Sequence, residues 1–495
     1  MCLCLTANAA RQKTRRMSNG TVVCSTRSAA VHRALPQPRT SWDSQKTYRL
    51  PVILMSFADC DFRADHDQAF FNDLFNKPGF NLGLGPGCVA DYFRDQSRGQ
   101  FNVVFDVVGP IKLASNQKTK SSSKNSVNSG ESQIREAIRI VDNQLNFADY
   151  DWDGYGKVES VIIIYAGYGG NYEENDVTDG CIWPNTEELS MRVDGVRIAY
   201  YSVSPELWIE DTSCGIGTIC HEFCHVLGLP DLYPTKSSEF SVLDEWDLMD
   251  GGNYADDGWC PPNLSVQERE YVGWQVPEEL TEAKTITGMP SYDSSGKSYR
   301  IVNDAHPSEY YLLENRQWEG WDFMLPNHGL LITHVDYSDY YWQSNAVNRN
   351  STHHRFEYFH ADTFDYNDYD NVLEELYPYG PDGRSLYLKY TSYPYVDTDG
   401  VSHDALTDTS VPAAMIFNKR ADGESLMGKS ITDIREEDGL ISFTFTNTST
   451  GIVSLSVDVC PVAWYDLQGR QLPEPPVNGL YIVKYSNGST HKVFR

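Results

Sequence analysis

Two rhythms of apolar residues run through this chain. Residues 48–57, Tyr-Arg-Leu-Pro-Val-Ile-Leu-Met-Ser-Phe, hold an apolar run that reads as a buried strand. Residues 67–75 and 89–97 predict helices, residues 101–108 alternate like a strand, and residues 131–144 return to helical periodicity. A second apolar strand, Val161-Ile-Ile-Ile-Tyr165, runs into Gly167-Tyr-Gly-Gly170, and residues 215–227 predict a further helix. Beyond about residue 282 strand signals dominate, at 310–315, 329–336 and 439–445. Residues 340–400 are rich in Tyr, Asp and Asn with weak periodicity, and no element is predicted there.

The pattern divides the chain into four parts. Residues 1–45 read as a signal remnant, with an Ala-Asn-Ala cleavage-like site near residue 8, and a flexible polar leader. Residues 46–280 form a mixed α+β domain, and residues 281–450 a β-rich region that completes or flanks it. After a Thr/Ser/Asn linker, residues 451–495 form a small β-module. A loop rich in Lys, Ser and Asn at 115–129 marks a place for insertion or proteolysis.

Composition narrows the function. A net charge of −29 argues against nucleic acid and against anionic membrane surfaces as partners. No run of 18 apolar residues exists, so no transmembrane helix is expected. The 11 cysteines lack CxxC spacing, which excludes a zinc ribbon and argues against a dense disulfide framework.

The chemistry concentrates in Thr218-Ile-Cys-His-Glu-Phe-Cys-His-Val-Leu-Gly-Leu-Pro-Asp231. His221 and His225, four apart on a helix, share one face and can reach one ion. Glu222 is placed to take a proton from an attacking water without being a ligand. Gly228 can end the helix, Pro230 prevents its continuation, and the turning chain can bring Asp231 back to the same ion. Cys220 and Cys224 point away from the histidine face and read as core packing. Met249, in the tight Trp246–Gly252 turn, would give the site an apolar, polarizable floor. Separately, Asp149, Asp151 and Asp153 precede Gly154 at alternate positions, as in the first half of a calcium loop, with Glu159 as a later carboxylate. The twelfth loop position is Ser160, which excludes a complete EF-hand, and Ca2+ is expected beside Zn2+.

Residues 48–445 resemble the immune inhibitor A family of secreted metallopeptidases, relatives of the metzincins. The resemblance rests on His221–Asp231, Arg94-Asp-Gln-Ser-Arg-Gly-Gln-Phe101, Tyr165-Ala-Gly-Tyr-Gly169, Leu312-Leu-Glu-Asn-Arg316 and His328-Gly-Leu-Leu-Ile-Thr-His334. It implies a zincin-like catalytic domain, His221 and His225 as zinc ligands, Glu222 as general base and Met249 as the Met-turn residue. Asp231 is the first choice for third ligand and Asp244 its rival. Cys224 departs from the small residue usual in the family. The tail, with Trp464-Tyr-Asp-Leu-Gln-Gly-Arg470 and Gly479-Leu-Tyr-Ile-Val483, resembles a type IX secretion C-terminal sorting domain.

These readings converge on a secreted or cell-surface zinc endopeptidase acting on protein or peptide substrates, with the export machinery as a partner through the tail. His328, His334 and Tyr233 are considered as oxyanion or substrate contacts and left outside the expected site. The competing reading is a catalytically inactive surface binding or adhesion protein on a peptidase scaffold. The motif alone also leaves open metal-dependent hydrolysis of a non-peptide bond.

Overall fold

The computed structural model describes residues 34–118, 128–171, 180–208, 211–235, 241–363, 380–447 and the greater part of 461–494. It also holds a short antiparallel pair, Thr14–Arg16 with Val22–Cys24. The expected signal remnant, part of the leader, the middle of the 115–129 loop and the 451–460 segment lie outside the described residues.

The architecture is α+β. Its first layer is a five-stranded sheet of β1 (Thr47–Ser56), β2 (Asn102–Lys112), β3 (Lys157–Tyr168), β4 (Asn185–Val193) and β5 (Val196–Leu207), in the order β2-β1-β3-β5-β4. The first four strands of that order are parallel, and the edge strand β4 alone runs antiparallel. Parallel strands covered on both faces must be apolar on both, and β1 and β3 show how. Val52, Leu54, Ile162 and Ile164 enter one core cluster, while Ile53, Met55, Ile163 and Tyr165 enter the other.

Helices α1 (Gln68–Asn76), α2 (Val89–Gln96) and α4 (Gly217–Val226) contribute to the first cluster and α3 (Glu131–Val141) to the second. Asp67 starts α1 by accepting the Phe70 N–H at 2.9 Å. In α3 the buried Ile134, Ala137, Ile138 and Val141 fall at three- and four-residue spacing, the stripe a surface helix needs.

Strands β4 and β5 carry no expectation from the sequence reading. They form a hairpin around Asp194-Gly195, both at positive φ (50° and 81°), the combination a two-residue hairpin loop requires.

The expected leader needs a nearer boundary. Residues 34–45 lie on the folded domain, held by the two large apolar side chains of an otherwise polar stretch. Leu35 is buried and its N–H donates to the Gln343 carbonyl at 2.8 Å. The Trp42 indole donates to Val272 O at 2.6 Å and packs on Phe101, with centroids 4.7 Å apart.

After α5 (Val266–Tyr271) come β6 (Lys284–Met289), β7 (Ser298–Val302), β8 (Glu309–Arg316), β9 (Gly329–Asp336), β10 (Phe356–Tyr358), β11 (Lys429–Glu437) and β12 (Leu440–Asn447). Strands β10-β9-β8-β7, with Glu278–Glu279 at the edge, make a second five-stranded sheet, and β11-β12-β6 a third sheet. In β8 the alternation decides the layering: Tyr310 and Leu312 join the core of the first domain, whereas Tyr311 and Leu313 face the three-stranded sheet. Buried residues on both sides of residue 280 therefore share one core cluster.

The C-terminal strands β13 (Pro461–Tyr465), β14 (Gln471–Leu472), β15 (Leu480–Tyr485) and β16 (Thr490–Phe494) form their own antiparallel sheet, in the order β14-β13-β15-β16. Tyr481, Val483 and Tyr485 are its separate core.

Candidate metal centre

Helix α4 is buried along its whole length, so its start and stop are set by close backbone approach. A Cβ on Gly217 would lie 2.0 Å from the Asn253 carbonyl oxygen. At the other end Gly228 takes φ 101°, and a Cβ there would lie 2.8 Å from Pro36 O. The Leu229 N–H closes back on the Cys224 carbonyl at 3.0 Å, a glycine-terminated helix end. This stop fixes a ring: the Leu229 carbonyl, released from the helix, accepts His225 Nδ1–H at 2.8 Å. His221 Nδ1–H is held likewise by the Leu248 carbonyl at 2.9 Å. With each Nδ1 occupied, both Nε2 atoms are left as acceptors for a cation.

Asp231 meets them. Its Oδ1 stands 3.2 Å from Nε2 of His221 and 3.2 Å from Nε2 of His225. Among the described residues no other group donates to this buried oxygen. The ligand atoms of the three residues lie within 4.8 Å of one another, and all three side chains are buried. They are the one such convergent set of His, Cys, Asp or Glu among the described residues. Two imidazoles and one carboxylate, the carboxylate presenting an oxygen with no other partner, fit the nitrogen and oxygen donors of a metal site. The electrostatics agree. Burial alone would lower His221, yet Asp231 and the charge of Glu222 raise it to about 9. Burial would raise Asp231, but the imidazoles hold it well below the usual carboxylate range.

Glu222 is buried beside this triad, and its Oε2 lies 3.0 Å from the Thr186 hydroxyl, which donates to the Glu222 backbone carbonyl at 2.6 Å. Thr186 sits on the antiparallel edge strand β4. The Asp194-Gly195 hairpin signal was the route to finding it in the sequence.

Met249 is fully buried, and its turn works through its backbone. Leu248 O holds His221, Met249 O accepts the Leu232 N–H at 2.9 Å, and the Met249 N–H donates to Asp247 Oδ1 at 2.8 Å. Asp244, the rival acid, is buried at φ 46°, and its carbonyl accepts the Gly251 N–H at 3.0 Å. It does not join the convergent set.

Behind the turn lies a buried charged layer. Arg316, fully buried, grips Asp322 through Nε (2.6 Å) and Nη2 (2.7 Å), and Arg269 reaches Glu314 at 3.2 Å. Burial lifts the Glu268 carboxyl there to about 7 and Asp247 well above its ordinary range.

Three further expectations resolve differently. His328 and His334 hydrogen-bond Glu436 (2.7 Å) and Glu309 (2.8 Å) within the β-rich region. Tyr233, left outside the expected site, is close to it: besides burial, the charges of Asp231 and Glu222 push its phenol well up. Cys220 and Cys224 are buried in the core, which raises both thiols well above the ordinary value.

Asn345 carries no signal in the sequence that points to the site. Its Nδ2 donates to Asp231 Oδ2 at 2.6 Å, and its Oδ1 accepts the Asp231 N–H at 2.6 Å. It lies in the stretch for which periodicity predicts nothing.

Among the described residues the four acids of the expected calcium loop form no convergent set of ligand atoms. Asp151 turns inward and accepts the N–H groups of Gly154 (2.9 Å), Tyr155 (3.2 Å) and Gly156 (2.6 Å). Asp153 is paired with Arg39, which also lies 3.9 Å from Glu159. Asp149 accepts from Asn146 at 2.9 Å. Backbone amides, Asn146 and Arg39 serve Asp149, Asp151 and Asp153, while among the described residues the buried Glu159 Oε2 has no hydrogen-bond partner.

Residues 53–278 match the family described as immune inhibitor A peptidase M6, catalytic domain. Over 286 residues the chain is 27% identical to "Immune inhibitor A" of Bacillus thuringiensis subsp. alesti. That similarity covers 47% of this chain and 41% of the relative, so the matched part spans less than half of either protein. The matched residues include His221, Glu222, His225, Asp231 and Met249, and they mark this part of the chain as similar to the catalytic domain of a peptidase.

Proposed function

We propose that the chain is a zinc-dependent endopeptidase, with His221, His225 and Asp231 as the ligands and Glu222 as the general base. The observation that carries this is the Asp231 Oδ1 atom, buried, 3.2 Å from both imidazole Nε2 atoms, beside a carboxylate that is not part of the set. The peptidase match over residues 53–278 supports it.

Zinc bound there would act as a Lewis acid toward a scissile carbonyl and toward the attacking water. The chain's own residues do the rest. Glu222 accepts the proton of the water as it attacks, then returns it to the leaving amine. The Thr186 hydroxyl donates to the Glu222 backbone carbonyl and lies 3.0 Å from Oε2, which ties this residue of the helix to strand β4. Leu248 O and Leu229 O keep the imidazoles in one tautomer and orientation. The Tyr233 phenol, kept protonated by burial and by the charges of Asp231 and Glu222, hydrogen-bonds Asp231 and would reach a developing oxyanion only by exchanging that partner.

Export belongs to the same proposal. The separate C-terminal sheet, with its own small core, supports a detachable sorting module, and the mature enzyme would act outside the cell on protein substrates. No helix among the described residues is long and apolar enough to cross a membrane.

The decisive experiment measures zinc content and casein digestion by the purified chain, with and without chelator. One zinc per chain and chelator-sensitive digestion are expected. Stoichiometric zinc without hydrolysis of any protein substrate would leave the binding-protein reading in its place.

A further inference from the structure

The segment that presents Asp231 has no secondary structure of its own, so something else must hold its carboxylate in place. On one side Met249 O takes the Leu232 N–H. On the other, three hydrogen-bonding contacts come from Asn345 and one from Asn348, more than 60 residues beyond the end of the peptidase match. Within the segment itself a side-chain hydrogen bond joins Tyr233 and Asp231. Asn345 makes the two-point clasp on Asp231, at 2.6 Å each way. Its carbonyl is 3.4 Å from the Thr235 hydroxyl. Asn348 donates to Leu232 O at 2.7 Å.

The clasp is itself anchored. Trp342, Ala346 and Val347 on either side are buried, and Asn348 Oδ1 accepts the N–H groups of Arg355 (2.9 Å) and Phe356 (3.0 Å). Asn345 adopts φ 52°, a left-handed conformation that asparagine tolerates better than most residues and glycine best. The backbone is thus bent so that one amide can face both the main chain and the side chain of Asp231.

We infer that Asn345 is a positioning residue for the third ligand, turning Asp231 so that only Oδ1 faces the two imidazoles. The chemistry is specific to an amide. Its NH2 group occupies Oδ2 and leaves Oδ1 without a competing donor, while its carbonyl oxygen accepts from the Asp231 backbone. An aspartate in its place would keep the acceptor and lose the donor, setting one carboxylate against another. The inference rests on the zinc reading above and adds that the site is incomplete without the β-rich region.

The test uses the full chain and two variants, Asn345→Gly and Asn345→Asp. Glycine removes the clasp while suiting the left-handed backbone, and aspartate keeps the size while removing the donor. Zinc affinity is measured by chelator competition, the visible spectrum is recorded after cobalt substitution, and thermal unfolding is followed on the metal-free proteins. Loss of a hydrogen bond to a ligating group typically weakens metal binding by ~10–100-fold, and that is expected for both variants. The cobalt bands should shift as Oδ2 becomes free to ligate, with metal-free unfolding close to wild type for Asn345→Gly. Should one variant fail to fold, the other gives the same comparison. A wild type that binds zinc while a folded variant binds it as tightly, with unchanged cobalt bands, overturns the role of Asn345 alone. A wild type that takes up no zinc or cobalt overturns the metal reading and this inference with it.

Discussion

The turn from Asp149 to Glu159 and the stretch from His221 to Asp231 are both rich in potential ligands, and they spend them in opposite ways. In the first, carboxylates find donors nearby: Asp151 takes amides within five residues, and Asp153 takes Arg39. In the second, every donor goes to an atom other than the one at the focus. The two Nδ1 atoms are taken by carbonyls and Asp231 Oδ2 by Asn345, which leaves two Nε2 atoms and Oδ1 facing one point. A metal site is recognised by unused lone pairs that converge on one point; Glu159 Oε2, also unpartnered, belongs to no such set among the described residues. The number of acids alone is a poor guide.

The comparison breaks most visibly at Asp231. Asp231→Ala should lose stoichiometric zinc and with it all measurable hydrolysis, because two imidazoles are too few for a stable site. Asp244→Asn should keep both. Metal analysis of the two purified variants checks this, and zinc lost from Asp244→Asn alone would move the third ligand to the rival acid.

Next in size is Glu222→Gln. Zinc should remain bound while turnover falls by about 10²–10⁴-fold, the usual worth of a positioned general base. Single-turnover assays on the zinc-loaded variant measure the loss, and full activity would end the proposed mechanism.

A smaller effect separates the focused acids from the merely buried ones. Glu268, with a folded pKa of about 7 against an ordinary 4.5, holds its proton in the native chain across a window where the unfolded chain has released it. The native state therefore binds more protons between pH 4.5 and 7. The contribution is fully present below 4.5 and is lost as pH rises toward 7, at most about 1.4 kcal/mol per pH unit. Glu268→Gln keeps the side-chain acceptor for the Ser265 N–H and removes the titration. Denaturant unfolding at several pH values should show wild type losing stability relative to this variant over that window. Parallel profiles would show that Glu268 titrates normally.

The smallest effect concerns calcium. Asp151→Ala removes a carboxylate that accepts three close backbone amides, and about 1–2 kcal/mol of stability should go with it. With its amides satisfied by Asp151, the turn should show the same loss with calcium or with chelator present. A calcium-dependent melting shift that disappears in Asp151→Ala would restore the ion to this turn.

Much of the framework was legible in the residues. Apolar runs at 48–57 and 161–165 marked strands buried on both faces, and α1 to α4 fell where the three-to-four spacing placed them, within a few residues. The hairpin of β4 and β5 escaped because its alternation is mixed, although Asp194-Gly195 stood in plain view. Residues 34–45 were misread because a polar average hid Leu35 and Trp42, two side chains large enough to dock the segment.

What the sequence by itself determined was local. The four-residue spacing of His221 and His225 sets both rings on one helical face, and Gly228 and Pro230 end that helix, because 3.6 residues per turn and glycine's freedom at positive φ depend on near neighbours alone. The convergence of Asp231, rather than Asp244, with the two imidazoles and its hydrogen bonding to Asn345, 114 residues away, depend on tertiary structure, as does the pairing of Asp153 with Arg39, also 114 residues away. A carboxylate's role depends on which donors the fold brings to its two oxygens, and donors that distant leave no periodic trace in the chain.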